Sequence, residues 1–168
     1  MDKQVQELLD IARSAGRAIL EVYHQDFSVQ HKDDDSPLTA ADLASHKVIV
    51  QRLHDMDPDT PVLSEEAAKT PYAVRTGWRR YWLIDPLDGT REFVKRNGEF
   101  TVNIALIVDG RPVLGVVHVP VSGVSYLGSD TQGAWKIEAG GDTRPIQVRD
   151  KCAEKIQVAG SRSHAGDS

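Results

Sequence analysis

Helical spacing and strand-like runs occupy different parts of this chain, and that segregation narrows the folds open to it. Residues 2–24 carry Val5, Leu8, Leu9, Ala12, Ala15, Ile19 and Val22 at intervals of three and four, which predicts an amphipathic helix with a solvated polar face. A second helix is predicted from Thr39, with Leu43, Val50 and Leu53 among its apolar positions and its end before Pro58. From residue 100 the period changes. Thr101 to Val108 is strongly β-prone, Asp109-Gly110 is a hairpin turn signal, and Val113 to Val119 runs back. Shorter strands are predicted at 124–127, 134–137 and 146–148, separated by turns containing glycine or aspartate. Helices followed by a meander of strands predict an α+β domain, with two long helices packed on a largely antiparallel sheet. Within that meander Tyr126, Trp135 and His118 read as sheet packing rather than as ligands.

The stretch that joins the two halves carries the chemistry. Pro61-Val62-Leu63 reads as a short strand leading into Ser64-Glu65-Glu66, and residues 66–79, with Pro71 and Gly77, read as an exposed loop. Tyr81 to Ile84 reads as a buried strand that stops at Asp85. Pro86 fixes its own φ and biases Asp85 toward extended backbone, so a turn is predicted there. A tight turn brings residues i and i+3 together, which would aim the carboxylates of Asp85 and Asp88 at one point. Gly89 permits an unusual backbone conformation, and Thr90 to Phe93 could open a short helix. Asp-Pro and Asp-Gly are also ordinary turn formers, so a plain turn is the competing reading. Glu65 and Glu66 weigh against it, because acids converging at neighbouring strand ends repel strongly unless a cation lies among them. The donors are all hard oxygens, which favours magnesium over zinc.

Composition sets the outer limits. At 168 residues and 40% hydrophobic content the chain has the size of one globular domain. A net charge of −5 gives no broad electrostatic footprint for nucleic acid or an anionic membrane, although a local metal site could still attract a free nucleotide. Cys152 is the single cysteine, so no internal disulfide can form and a reducing compartment is expected. Asp2, Lys3, Glu7, Asp10, Arg13, Arg17 and Glu21 exclude a signal-peptide core, and no apolar run is long enough to span a membrane. A soluble, cytoplasmic protein is expected. Residues 27–32 read as a short strand and Asp33-Asp34-Asp35 as a solvated loop, since their spacing does not fit a calcium-binding EF-hand. Thr39-Ala40-Ala41-Asp42 resembles a capping box at the start of the second helix.

Glu65-Glu66 followed by Trp82-Leu83-Ile84-Asp85-Pro86-Leu87-Asp88-Gly89-Thr90 resembles the signature of the inositol monophosphatase superfamily, magnesium-dependent and lithium-sensitive phosphomonoesterases with a layered α/β sugar-phosphatase-like fold. Arg91-Glu92-Phe93 and Gly160-Ser161-Arg162-Ser163-His164 are similar to the branch of CysQ-type 3′(2′),5′-bisphosphate nucleotidases. That resemblance implies two or more magnesium ions. Glu65, Asp85 and the Leu87 carbonyl would hold the first; Asp85 would bridge to the second, which Asp88 also binds. Backbone N–H groups of Gly89 and Thr90 would receive a phosphate oxygen, and the Thr90 hydroxyl, polarised by Asp42, would orient the attacking water. Glu66 would support this group from behind. Ser161 and His164 would contact the nucleotide, Arg162 could pair with a phosphate, and Lys32 resembles a basic residue near the site. The implied substrate is a phosphorylated nucleotide, adenosine 3′,5′-bisphosphate, with the sulfated nucleotide a possible second; a homodimer is compatible with the resemblance.

The superfamily continues into a second α/β domain that supplies one more aspartate from a Trp-Asp element. Trp78, Trp82 and Trp135 are each followed by something else. The chain is therefore expected to comprise a metal-binding domain, 1–155, and the first strand and loop of a second domain, 156–168. Two rivals remain: an inositol monophosphatase or related sugar phosphatase with the same metal chemistry, and a fragment that binds metal or nucleotide without turnover.

Overall fold

The computed structural model of the chain describes residues 3–25, 37–67 and 70–150, with 155 and 158 as isolated positions. The strand expected at 27–32, Lys32, the acidic loop at 33–35 and the loop with Ser161, Arg162 and His164 lie outside the described residues. So does the strand expected at 156–159, save for Val158, which is in no strand.

Helix α1 (Lys3–Tyr23) turns Val5, Leu8, Leu9, Ile11, Ala12, Ala15 and Ile19 into the core, following the spacing in the sequence. Helix α2 (Pro37–Met56) begins two residues before the expected start. Proline suits a first helical position, because the N–H it lacks would have no partner within the helix. This shift corrects the capping-box reading. Asp42 is the sixth residue of the helix, too far along to cap its start. The buried stripe of α2 is Ala41, Ser45, Ile49 and Leu53, four apart. Leu43, expected on the apolar face, is exposed because it lies about 200° round the helix from Ala41.

Strand β1 (Val62–Ser64) is followed by α3 (Tyr72–Arg75), a single exposed turn of helix within the segment expected to be loop. Then come β2 (Arg80–Asp88), α4 (Thr90–Val94), β3 (Thr101–Val108), β4 (Arg111–Val119), β5 (Val124–Ser129), β6 (Gly133–Ile137) and β7 (Thr143–Ile146). All seven strands form one sheet in sequence order. β1 and β2 are parallel, and every later pair is antiparallel. The predicted hairpin at Asp109-Gly110 is present, with φ of 48° and 76°. These are the positive angles a two-residue hairpin turn demands. The last strand lies three residues earlier than expected and leaves Val148 exposed. Its Pro145 is tolerated because β7 is an edge strand among the described residues.

Alternation sorts the sheet into two faces. Ile84, Ile104, Val116 and Leu127 are paired across four strands and all lie buried. They face the helices: α1 packs on β3 and β4, and α2 on β2. The neighbouring row is Leu83, Ala105, Gly115, Gly128, Ala134 and Ile146, on the opposite face. Four small residues in line leave an open apolar trough of about 740 Å³ there, also lined by Tyr126. Tyr126 is thus exposed on the open face rather than packed, because its strand position faces away from the helices. His118 does pack, buried between α1 and the sheet.

Candidate active site

Parallel pairing sets the first two acids side by side. Val62 aligns with Trp82, Leu63 with Leu83 and Ser64 with Ile84, so the next residues along, Glu65 just past the end of β1 and Asp85 within β2, stand at the same level. A parallel pair directs both chains the same way, and this is why neighbouring positions on two strands can present acids together. Glu65 and Asp85 both border the end of the apolar trough, beside Asn103 of β3.

The motif Asp85-Pro86-Leu87-Asp88 is not the tight turn expected from Asp-Pro. Strand β2 continues through it to Asp88 with a bulge: Asp85 pairs with Asn103, whereas Asp88 pairs with Thr101. Three steps along β2 match two along β3, so one extra residue is accommodated. Pro86 has no N–H to give the ladder, which makes a bulge its natural place in a strand. The Asp85 carboxylate accepts the Leu87 N–H, an Asx-type bond across the proline. From the other side Ser45 Oγ of α2 donates to the Pro86 carbonyl at 2.8 Å in a buried contact. Both ends of the bulge are fixed by hydrogen bonds.

Gly89 then reverses the chain with φ 96° and ψ 45°. A Cβ here would lie 3.0 Å from the Glu99 carbonyl oxygen and 3.2 Å from Phe100 Cα, so glycine is required by space as well as by angle. Thr90 starts α4 as expected, and Phe93 N–H bonds back to the Gly89 carbonyl at 2.9 Å. Phe93, Phe100 and Tyr23 hold the short helix against α1, with ring centroids 5.0–5.4 Å apart in edge and tilted contacts. Among the described residues no hydrogen bond joins Thr90 to Asp42.

Asp42 projects from α2 into the same group of acids. Burial, then the charge of Glu66 and a hydrogen bond shared with it, and then Asp85 and Glu65, raise its pKa to about 7. A carboxyl can share a hydrogen bond with a carboxylate only if one of the two holds a proton. Burial, Asp88, Glu65 and Glu66 together push Asp85 to about 6, despite the Leu87 N–H that favours its charge. Asp42 Oδ1 is one of two buried side-chain atoms among the described residues with no hydrogen-bond partner. Oxygen donors that repel one another, two of them reluctant to ionise and one orphaned, fit a hard divalent cation. Among the described residues no three of these side chains are already drawn into a ready cation cage. Asn103 Nδ2 donates to Asp88 Oδ2 at 3.1 Å.

Three polar residues that bond to an acid of this group or to the residues beside the acids went unnoticed in the sequence. Ser45 and His46 lie three and four residues beyond Asp42, the helical spacing that repeats one face. Asn103 is the one polar side chain inside the apolar run 102–108, and alternation from Asp85 through the pairing puts it on the acid-bearing face. The helical spacing could have revealed the first two; Asn103 needed the register.

The inositol monophosphatase family model matches residues 1–168. The chain belongs to the inositol monophosphatase family. Among members of this family, the 3′(2′),5′-bisphosphate nucleotidase CysQ of Salmonella typhimurium is 52% identical over 165 residues, covering 97% of this chain and 65% of that protein. The Escherichia coli K12 protein of the same name is 53% identical over 161 residues, covering 95% and 63%. The chain therefore spans a little under two thirds of these curated relatives. A crystal structure of CysQ from Bacteroides thetaiotaomicron, a bacterial family member, superposes with a TM-score of 0.73 at 40% identity, over 95% of this chain and 59% of that one. The two helices on a seven-stranded mixed sheet are thus the family's fold. No helix among the described residues is long and apolar enough to cross a membrane.

Proposed function

We propose that this chain carries the metal-binding part of a magnesium-dependent phosphomonoesterase acting on adenosine 3′,5′-bisphosphate, with the sulfated nucleotide as a further substrate. The observation that carries the reading is the meeting of Asp42, Glu65, Glu66, Asp85 and Asp88 around the end of β1 and the bulge of β2, with Asp42 and Asp85 pushed toward neutrality in pKa. Relatives named as bisphosphate nucleotidases, 52–53% identical, support the substrate class.

Glu65, Asp85, the Leu87 carbonyl and Asp88 would hold two magnesium ions, which when bound neutralise phosphoryl charge and make a water nucleophilic near neutral pH. The rest falls to the chain's own groups. The Gly89 and Thr90 N–H groups receive a phosphate oxygen at the start of α4. The Thr90 hydroxyl, polarised by Asp42, orients the attacking water. Glu66 stands beside Asp42 and raises its pKa. Glu65, Leu87 and Asp88 border the phosphate, and Ser161 and His164, outside the described residues, contact the nucleotide.

Residues 1–155 form the metal-binding domain in this reading, and 156–168 begin a second one. The uncovered apolar trough supports that division, since a sheet face of this composition ordinarily packs against something. Localisation in the cytoplasm and assembly as a homodimer belong to the same reading.

The test is phosphate release from adenosine 3′,5′-bisphosphate and from inositol monophosphate, in magnesium, by a protein of the relatives' full length that carries this sequence. Preference for the nucleotide is expected. Preference for inositol monophosphate would transfer the chain to the family's other activity. Magnesium binding by residues 1–168 without turnover would mark the chain alone as a binding fragment.

A further inference from the structure

Of the two strands that bring the acids together, only one is secured on both sides by the sheet among the described residues. β2 is flanked by β1 and β3, whereas β1 is three residues long and lies at the edge of the described sheet. Glu65 and Glu66 follow directly from that edge. The sheet offers them little restraint, because an edge strand has a ladder on one side only.

Ser64 supplies the restraint. It is buried, its Oγ accepts the Glu66 N–H at 3.3 Å, and its carbonyl accepts the Ala67 N–H at 3.4 Å. Both bonds are long. The shorter contact comes from α2, where His46 Nδ1 lies 2.9 Å from Ser64 Oγ. One turn of α2 thus reaches three places: Asp42 enters the acid group, Ser45 holds the Pro86 carbonyl in the bulge, and His46 holds the end of β1. The serine hydroxyl can accept from Glu66 while donating to an unprotonated Nδ1, so both neighbours are satisfied by one atom.

We infer that His46 is a positioning residue for the cation site: through Ser64 it fixes the Glu65-Glu66 turn relative to Asp85 and Asp42. It reaches no acid directly in the structure, and its role is to hold the backbone that carries them. This deepens the cation-site reading above and rests on it. Groups that orient metal ligands from behind commonly alter affinity by roughly tenfold to a hundredfold when removed.

The experiment is calorimetric titration of the 168-residue chain with magnesium chloride alone, alongside melting curves in its absence. The parent, His46→Ala, Ser64→Ala, the double variant and His46→Asn are compared. The proposal expects His46→Ala and Ser64→Ala each to weaken magnesium binding about tenfold. It expects the double variant to be no weaker than Ser64→Ala, because His46 acts only through the Ser64 hydroxyl. His46→Asn, whose amide can reach the position of Nδ1, should keep most of the parent's affinity and its magnesium-free melting temperature. Parental affinity in His46→Ala, or losses that multiply in the double variant, would overturn the inference while leaving the cation site standing. No binding by the parent would remove the site reading and this one with it. Should His46→Ala fail to fold, His46→Asn and Ser64→Ala decide: near-parental affinity in the first with loss in the second supports the link, and the reverse refutes it.

Discussion

Asn103 Nδ2 donates to Asp88 Oδ2 at 3.1 Å, and the direction of that bond is fixed by a second one. Thr101 Oγ1 lies 3.0 Å from Asn103 Oδ1. A hydroxyl donating to the amide oxygen leaves the amide nitrogen to face Asp88. One Asp88 oxygen is thereby occupied, and the other is left for a cation. Asn103 is also a neutral donor in a group otherwise made of acids, so it restrains Asp88 without adding charge.

Replacing Asn103 with Ala should accordingly weaken magnesium binding by about tenfold, the lower end of what such supporting groups contribute. Asp88→Asn should go further and abolish magnesium-dependent phosphate release in a full-length protein. Turnover at the parental rate in Asp88→Asn would remove Asp88 from the assignment.

Stability in the absence of magnesium should fall as pH rises from about 4 to 7. Asp42 and Asp85 hold protons in the fold up to about 7 and about 6, but release them near 3.8 once unfolded. Between those values the folded state binds more protons, so raising pH favours unfolding. Magnesium should oppose this, and its stabilisation should grow across pH 6–7 as the ligands ionise. Thermal melts at several pH values, with and without magnesium, measure the difference. A gain from magnesium as large at pH 5 as at pH 7.5 would contradict the raised pKa values.

His118 predicts the opposite slope. Burial first, then the charges of Arg13 and Arg17 on α1, lower its pKa from 6.5 to about 4, although the Val124 backbone hydrogen bond works against them. The unfolded chain takes up a proton between 6.5 and 4 that the folded chain refuses. This contribution is complete above pH 6.5 and is lost as pH falls toward 4. With magnesium present the acid term is suppressed, so stability should rise with pH over that window. His118→Asn should flatten the rise, which denaturant titrations at pH 4.5 and 7 would show.

Gly16 should not tolerate alanine, although it sits within a helix. A Cβ there would lie 2.7 Å from His118 Cδ2 and 2.8 Å from Nε2. The ring cannot simply swing aside, being buried and tied by Nδ1 to Ser125 Oγ at 2.9 Å. Alanine gains about 1 kcal/mol of helix propensity. Overpacking of about 1–3 kcal/mol opposes that gain and should leave Gly16→Ala less stable than the parent. A higher melting temperature in Gly16→Ala would mean that α1 and the sheet can part more easily than their packing implies.

Much of this was legible in the residue order. Period 3.6 in α1 and period 2 in the meander mark their buried faces directly, and Asp109-Gly110 names its own turn. Glu65 and Asp85 were expected at neighbouring strand ends; the parallel pairing sets them level, with Glu65 just past the end of β1 but Asp85 inside β2, which runs on to Asp88. Other features depended on contacts that no local pattern encodes. Asp-Pro announces a break in a ladder, yet whether the break becomes a turn or a bulge is decided by partners: Thr101 and Asn103 across the strand, and Ser45 from a helix forty-one residues away. Thr39 and Asp42 match a capping box on paper, but Pro37 starts the helix sooner and leaves Asp42 free to face the acids. Ser161 and His164 remain readings of sequence alone.

Asp42, Ser45 and His46 ride on a single turn of one rigid rod. A tilt of α2 by even a fraction of an ångström would be delivered together to an acid, to the bulge in β2 and to the tip of β1. Heat or mutation that shifts that rod should therefore disturb these three points together, while Asp88, held by Asn103, is set from the sheet.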